Sequence, residues 1–276
     1  MRKGFTGIFK DSISIFRNSV WSVLGIYLGF VIVGILLGVI AALAVGRDVM
    51  VMLSMFSTDP SVINSMLPQL GMLFVFFLLF IFLAYIVGFW TIIVFKNNAL
   101  LGKSFIKEAF FESCRKIWKV ILWGLILAIC FGLITLIFAL LLQRWAFIIL
   151  FPVMVFIMPL AYTVSFGIMC REGGFWEILK QNFALGYRNW GYIFISVLLY
   201  MIALFASIII VGSVQFLIVK VIGLALLGSI IGAIFNFLLN TFTSCFFTVF
   251  YLNLSGMASQ GETLEQPQQE QIIQNN

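Results

Sequence analysis

Six stretches of this chain, at about residues 21–45, 70–95, 117–142, 145–170, 190–214 and 221–252, are apolar throughout. Apart from Lys119 at the lip of the third, none contains Asp, Glu, Lys or Arg. A bilayer core about 30 Å thick is crossed by about 20 helical residues at 1.5 Å each. Every run meets that length, and a soluble domain has no use for six of them. Within lipid a backbone must satisfy its own hydrogen bonds, so runs of this size fold as helices. The expected fold is all-α: a polytopic membrane bundle of six transmembrane helices over 1–254, with a polar tail at 255–276. Composition agrees, with 63% apolar and 9% charged residues among 276. The fifth and sixth runs are separated only by Gly212, Ser213, Gln215 and Lys220. That break reads as a tight external turn, with Lys220 reaching back to the headgroups.

The few charges carry the orientation. Thirteen of the sixteen Lys and Arg residues, counting Lys119 at the lip of the third run, fall before the first run, between the second and third, or between the fourth and fifth. Only Arg47, Arg144 and Lys220 fall in the alternate gaps. Cytoplasmic loops collect basic residues, so both termini are expected in the cytoplasm. The net charge of +6 then belongs to inner-face collars facing anionic lipid headgroups. No extramembrane segment is long enough to build a basic face for nucleic acid. The tail, ending Gln266-Pro267-Gln268-Gln269-Glu270-Gln271, is too polar to bury a core and is expected to be disordered.

Three basic segments have helical periodicity. Phe5, Ile8, Phe9, Ile13 and Phe16 form one apolar stripe. Ile106, Ala109, Phe110 and Ile117 form a second after a Ser104 N-cap, leaving Lys107, Glu108, Glu112, Arg115 and Lys116 in water. Trp176, Leu179 and Phe183 form a third behind the turn Arg171-Glu172-Gly173-Gly174. Each segment ends in Arg and then Trp before the next run, as at Arg188-Asn189-Trp190. Three cytoplasmic interfacial amphipathic helices are therefore expected, each feeding a two-span hairpin. Arg17, Lys103, Lys107, Arg115, Lys116 and Arg188 are the candidate lipid-headgroup contacts.

Polar chemistry inside the runs is sparse. Ser229, Asn236, Asn240 and Thr243 recur at spacings near three and four, and a membrane helix must turn such a stripe toward protein or water. Two readings compete: a neutral polar pathway, or hydrogen bonds to a neighbouring helix. Pro152 and Pro159 each remove a backbone donor from the fourth run and mark a candidate kink. Gly25-x3-Gly29, Gly34-x3-Gly38 and Gly228-x3-Gly232 are expected packing faces. Histidine is absent, which removes His-based acid/base chemistry, and the four cysteines show no CxxC spacing. Glu108 and Glu112 share a helix face, but basic neighbours neutralise them as ion pairs. No catalytic residue, cofactor or metal ligand is assigned.

The segment Gly102-Lys103-Ser104-Phe105-Ile106-Lys107-Glu108-Ala109 before one run, and Arg171-Glu172-Gly173-Gly174 with its amphipathic helix before another, resembles the YciC-like bacterial inner-membrane proteins. It is also similar to the membrane domain attached to some glycerophosphodiester phosphodiesterases. The resemblance covers the central and C-terminal two thirds of the chain and implies a six-helix bacterial membrane module without the catalytic domain of the fused relatives. The expectation is a non-enzymatic multi-pass protein, a membrane-organising or accessory subunit binding lipid, a partner protein or further copies of itself. The alternative is a transporter or channel for a small neutral or amphipathic solute. Without an intramembrane carboxylate, a proton relay is disfavoured.

Overall fold

The computed structural model describes residues 3–45, 62–142, 146–220 and 225–257. All secondary structure among them is helical: α1 (Phe5–Val45), α2 (Val62–Leu101), α3 (Ile106–Leu142), α4 (Ala146–Cys170), α5 (Phe175–Arg188), α6 (Trp190–Lys220) and α7 (Ala225–Ser255). Among the described residues, five helical stretches are long and apolar enough to cross a membrane: Phe5–Leu43, Gly71–Leu101, Ile106–Leu136, Trp190–Lys220 and Leu227–Ser255. In α4 the apolar stretch among the described residues is Val155–Cys170. The segment after α1, expected as an external loop, and most of the polar tail lie outside the described residues.

Of the three expected amphipathic helices, only α5 stands as an element of its own. The stripe from Phe5 is the start of the 41-residue α1, and that from Ile106 is the start of the 37-residue α3. No Gly or Pro interrupts Phe5 to Trp21 except Gly7, and none interrupts Ile106 to Trp118. Ending a helix strands four N–H and four C=O groups, so a chain without a breaker continues. At about 60 Å, α1 runs twice the thickness of a bilayer core. Where breakers do occur the helices stop. Gly173, at φ +129°, opens the turn between α4 and α5, and Gly102, at φ +65°, opens the turn between α2 and α3. Ser104 does not cap α3: the helix begins at Ile106, and the Ser104 hydroxyl accepts a hydrogen bond from Asn98 instead.

The expected turn near Gly212 to Gln215 is also helical. Ser213 donates to the Ile209 carbonyl within α6, and Gln215 donates 2.8 Å across to the Gly228 carbonyl of α7. With its amide satisfied by the neighbouring helix, Gln215 has no need of water. Gly228 and Gly232 do form a packing face, because a Cβ at either would overlap Val219 or Gln215.

The chain divides into two compact units, Val20–Thr91 and Met1–Ser19 with Ile92–Asn276. In the first, Tyr27 hydrogen-bonds Thr91 and the Phe30 and Phe80 rings lie 5.2 Å apart. A Cβ at Gly34 would meet Phe80 there, whereas a Cβ at Gly25, Gly29 or Gly38 would meet no atom within 4 Å among the described residues.

The core of the larger unit sits at its basic end. Phe9 and Phe16 of α1 pack on Phe242, and Phe5 packs on Phe246. Phe246 stacks on Tyr200 of α6, 4.5 Å between centroids. The Tyr162 hydroxyl of α4 donates to the Phe247 carbonyl of α7. Two glycines let α5 lie directly on α4. Gly186 faces Thr163 and the Leu160 backbone, and Gly167 faces the Asn182 side chain, so neither site has room for a Cβ. The buried face of α5 is therefore Phe175, Ile178, Asn182 and Gly186. The expected apolar stripe of Trp176, Leu179 and Phe183 lies beside this face, with Trp176 and Phe183 exposed, and it is the small Gly186 and Gly167 that permit the close approach of the two helices. Gly186→Leu is expected to cost about 1–3 kcal/mol by overpacking and to lower the thermal unfolding midpoint in detergent. Gly124→Leu, which meets open space, should leave that midpoint within about 0.5 kcal/mol of wild type.

Candidate functional site: a charged cluster and an aromatic helix at the basic end

Part of the second basic segment, predicted to be wet, forms a largely buried network instead. The α3 residue Glu112 lies more than a turn before the apolar segment starting at Ile117. It accepts hydrogen bonds from Lys116 Nζ, at 2.6 Å, and from Lys96 Nζ at the basic end of α2. Lys116 is only 1% exposed, and it also donates to the Met169 carbonyl at 2.9 Å and pairs with Glu172 at 3.0 Å. The i, i+4 spacing of Glu112 and Lys116 was readable as a local pair; its burial was not. Burial alone would raise the Glu112 carboxyl, but the hydrogen bonds and charges of Lys116 and Lys96 outweigh it and hold the group below its ordinary value.

Two further cations of α3 grip the turn that ends α4. Arg115 pairs with Glu172 at 3.3 Å, and Lys119 donates 2.6 Å to the Gly173 carbonyl. Together with Lys116 on the Met169 carbonyl, they neutralise the carbonyl-rich C-terminus of α4, where positive charge is favoured. A second chain of hydrogen bonds crosses to α7. Arg171 Nε donates to the Tyr251 hydroxyl, which donates to the buried Asn182 Oδ1, and Asn182 Nδ2 donates to the Ile178 carbonyl. Arg171 also donates to Gln181, which donates to Glu177. None of Asn182, Tyr251 or Lys96 was nominated from the sequence. A buried amide on an amphipathic helix was the available signal, since Asn182 falls on the face that Phe175 and Ile178 define.

This placement sorts the six candidate headgroup contacts. Lys116 is buried and engaged, so it cannot reach a headgroup, and Arg115 is exposed but paired. Arg17, Lys103, Lys107 and Arg188 are exposed and form no ion pair among the described residues. Beside Arg188, α5 presents a second face. At 100° per residue, Leu179, Phe183, Trp176 and Tyr187 fall on one side of the buried stripe, and Lys180, Glu177, Arg188 and Gln181 fall beyond it. Trp176 and Tyr187 are 69% and 70% exposed. Trp118 of α3 is also exposed and lies 6.3 Å from the Phe175 ring. Exposed Trp and Tyr beside free cations are the composition of a membrane–water boundary.

The polar stripe of α7 is divided. Thr243 turns to α6 and shares a 2.7 Å hydrogen bond with the Tyr200 hydroxyl, while Ser229, Asn236 and Asn240 are exposed. The α4 helix runs unbroken through both prolines. Pro159 is buried, its carbonyl accepts from Thr163, and the Trp190 indole donates 2.8 Å to the Phe156 carbonyl one turn before Thr163's own partners. Donors from side chains thus take up carbonyls around the missing N–H. The side chain of Pro152 lies outside the described residues. No group of three or more His, Cys, Asp or Glu able to hold a metal occurs among the described residues. No protein-family model matches the chain, and neither a curated protein nor a solved structure is similar to it.

Glu112→Ala should be strongly destabilising, by about 3–5 kcal/mol, because it leaves buried Lys116 with only the exposed Glu172 carboxylate and removes the partner of Lys96. Glu172→Ala, at a 64% exposed side chain, should cost no more than about 1 kcal/mol. The same pair sets a pH dependence. A carboxyl whose folded value is lowered contributes stability in full above its ordinary value and loses it as pH falls through the lowered one. Thermal unfolding in detergent should therefore show an acid-side loss of stability that is flattened in Glu112→Gln.

Proposed function

We propose that this chain is a non-enzymatic, six-span protein of a bacterial cytoplasmic membrane, an accessory or membrane-organising subunit whose basic face engages anionic lipid headgroups. The sixth span in this reading is α4, whose 25 residues extend about 37 Å. The observation that carries the reading is the sorting of cations. Lys96, Arg115, Lys116 and Lys119 are consumed by the protein's own carboxylates and carbonyls. Arg17, Lys103, Lys107 and Arg188 stand exposed, outside that network, on the unit that also presents the aromatic side of α5. A fold that spends buried pairs on rigidity and leaves other cations free fits a fixed surface for polyanionic lipid better than a reacting site.

Transport of a neutral or amphipathic solute is the second reading. Asn236 and Asn240 favour it, since exposed amides on a membrane helix are what a polar route requires. Each free cation near an anionic surface contributes about 1 kcal/mol. Replacing Arg17, Lys103, Lys107 and Arg188 by Gln should therefore cut the preference for phosphatidylglycerol over phosphatidylcholine by at least tenfold, read as lipid retained by the purified protein. Arg115→Gln should change it little. An unaltered preference in the fourfold variant, or solute flux through vesicles containing the purified protein, would contradict the lipid reading.

A further inference from the structure

The strip Ser229, Ala233, Asn236 and Asn240 on α7 is exposed along its whole length. Neither Asn236 nor Asn240 makes a side-chain hydrogen bond among the described residues. Their depth follows from the pairing of α6 with α7. Tyr200 lies beside Thr243 and Gln215 beside Gly228, so Trp190, at the start of α6, is level with the end of α7. Asn240 is then about 20 Å and Asn236 about 25 Å along the helix from that Trp. In a bilayer both amides lie within or at the far edge of the hydrocarbon, which offers them no partner.

The rest of the helix surface says what else touches this strip. Gly228, Gly232 and Thr243 face α6. Ile230, Ile234 and Leu238 are exposed and apolar, a surface suited to lipid tails. Between those two sides, Ser229, Ala233, Asn236 and Asn240 fall within about 60° of one another. Their spacing of four, three and four is that of the seam along which two helices wind with a left-handed supercoil. Small residues at Ser229 and Ala233 allow close approach, and an Asn is both donor and acceptor, so it complements itself across a two-fold axis. Copies of one chain inserted in one membrane share their orientation, and parallel in-register pairing is the arrangement in which like Asn residues meet.

We propose that α7 pairs with α7 of a second copy of this chain along Ser229, Ala233, Asn236 and Asn240, with Asn236 and Asn240 each bonded to its counterpart. The pairing rests on α7 crossing the membrane and is independent of the headgroup reading. Single-molecule photobleaching of the labelled full chain in vesicles, at decreasing protein-to-lipid ratio, should give two steps for wild type. Asn236→Leu with Asn240→Leu should raise the dissociation constant at least tenfold and give one step. Ala233→Leu keeps both amides and should do the same by blocking approach, whereas Ile234→Ala on the lipid-facing side should leave two steps. In a Cys130→Ser background, oxidised Asn236→Cys should run at twice the 31.1 kDa of the single chain. A wild-type protein that bleaches in one step, or dimers that persist in both seam variants, would overturn the proposal.

Discussion

The Glu112 carboxylate, held between Lys96 and Lys116, is the interaction on which the basic end of the larger unit depends. It joins the end of α2 to the start of α3, and through Lys116 it reaches the Met169 carbonyl and Glu172 at the end of α4. Three helices are thereby tied at one buried point in a chain with very few charges. Removing ions from water is costly, and the cost is offset only where every donor finds a partner. Lys116 meets that condition with two carboxylates and a carbonyl. The α5 helix is then seated on α4 by glycine contact, and Asn182 ties it through Tyr251 to α7.

Elsewhere in the chain the helices differ in character. Side chains along α1, α2, α3 and α6 are largely exposed and apolar, as helices that meet lipid tails are. Order in the larger unit thus comes from polar contacts and aromatic packing concentrated where the charges are, not from a continuous apolar core along the spans. That distribution explains why the cations divide into two classes. Those on the inward sides of α2 and α3 hold the fold, and those on outward sides remain free for a surface.

Much of this architecture was legible in the sequence, and the failures are instructive. Apolar runs located the helices because length and lack of charge are the only properties lipid demands. Periodicity found the amphipathic segments but misjudged them in two ways. It could not tell a separate interfacial helix from the first turns of a longer one, since the hydrogen-bond ladder continues wherever no breaker stands. It also gave no sign that α5 has a second, protein-facing side, where Phe175, Ile178, Asn182 and Gly186 pack. Large apolar residues mark a buried face in water, but at a membrane boundary they mark the outer one. Lys116 was placed in water for the same reason: its charge was visible, while the carbonyl and carboxylates waiting for it came from distant parts of the chain.

The proposed headgroup role turns on one orientation, with the basic end in the cytoplasm. Reporter fusions after Met55, Lys103 and Gly174 test it directly, since each follows a different crossing. The account predicts a periplasmic signal at Met55 and cytoplasmic signals at Lys103 and Gly174. An external signal at Lys103 or Gly174 would place the Glu112 network and its surrounding cations on the wrong side of the membrane and contradict the account.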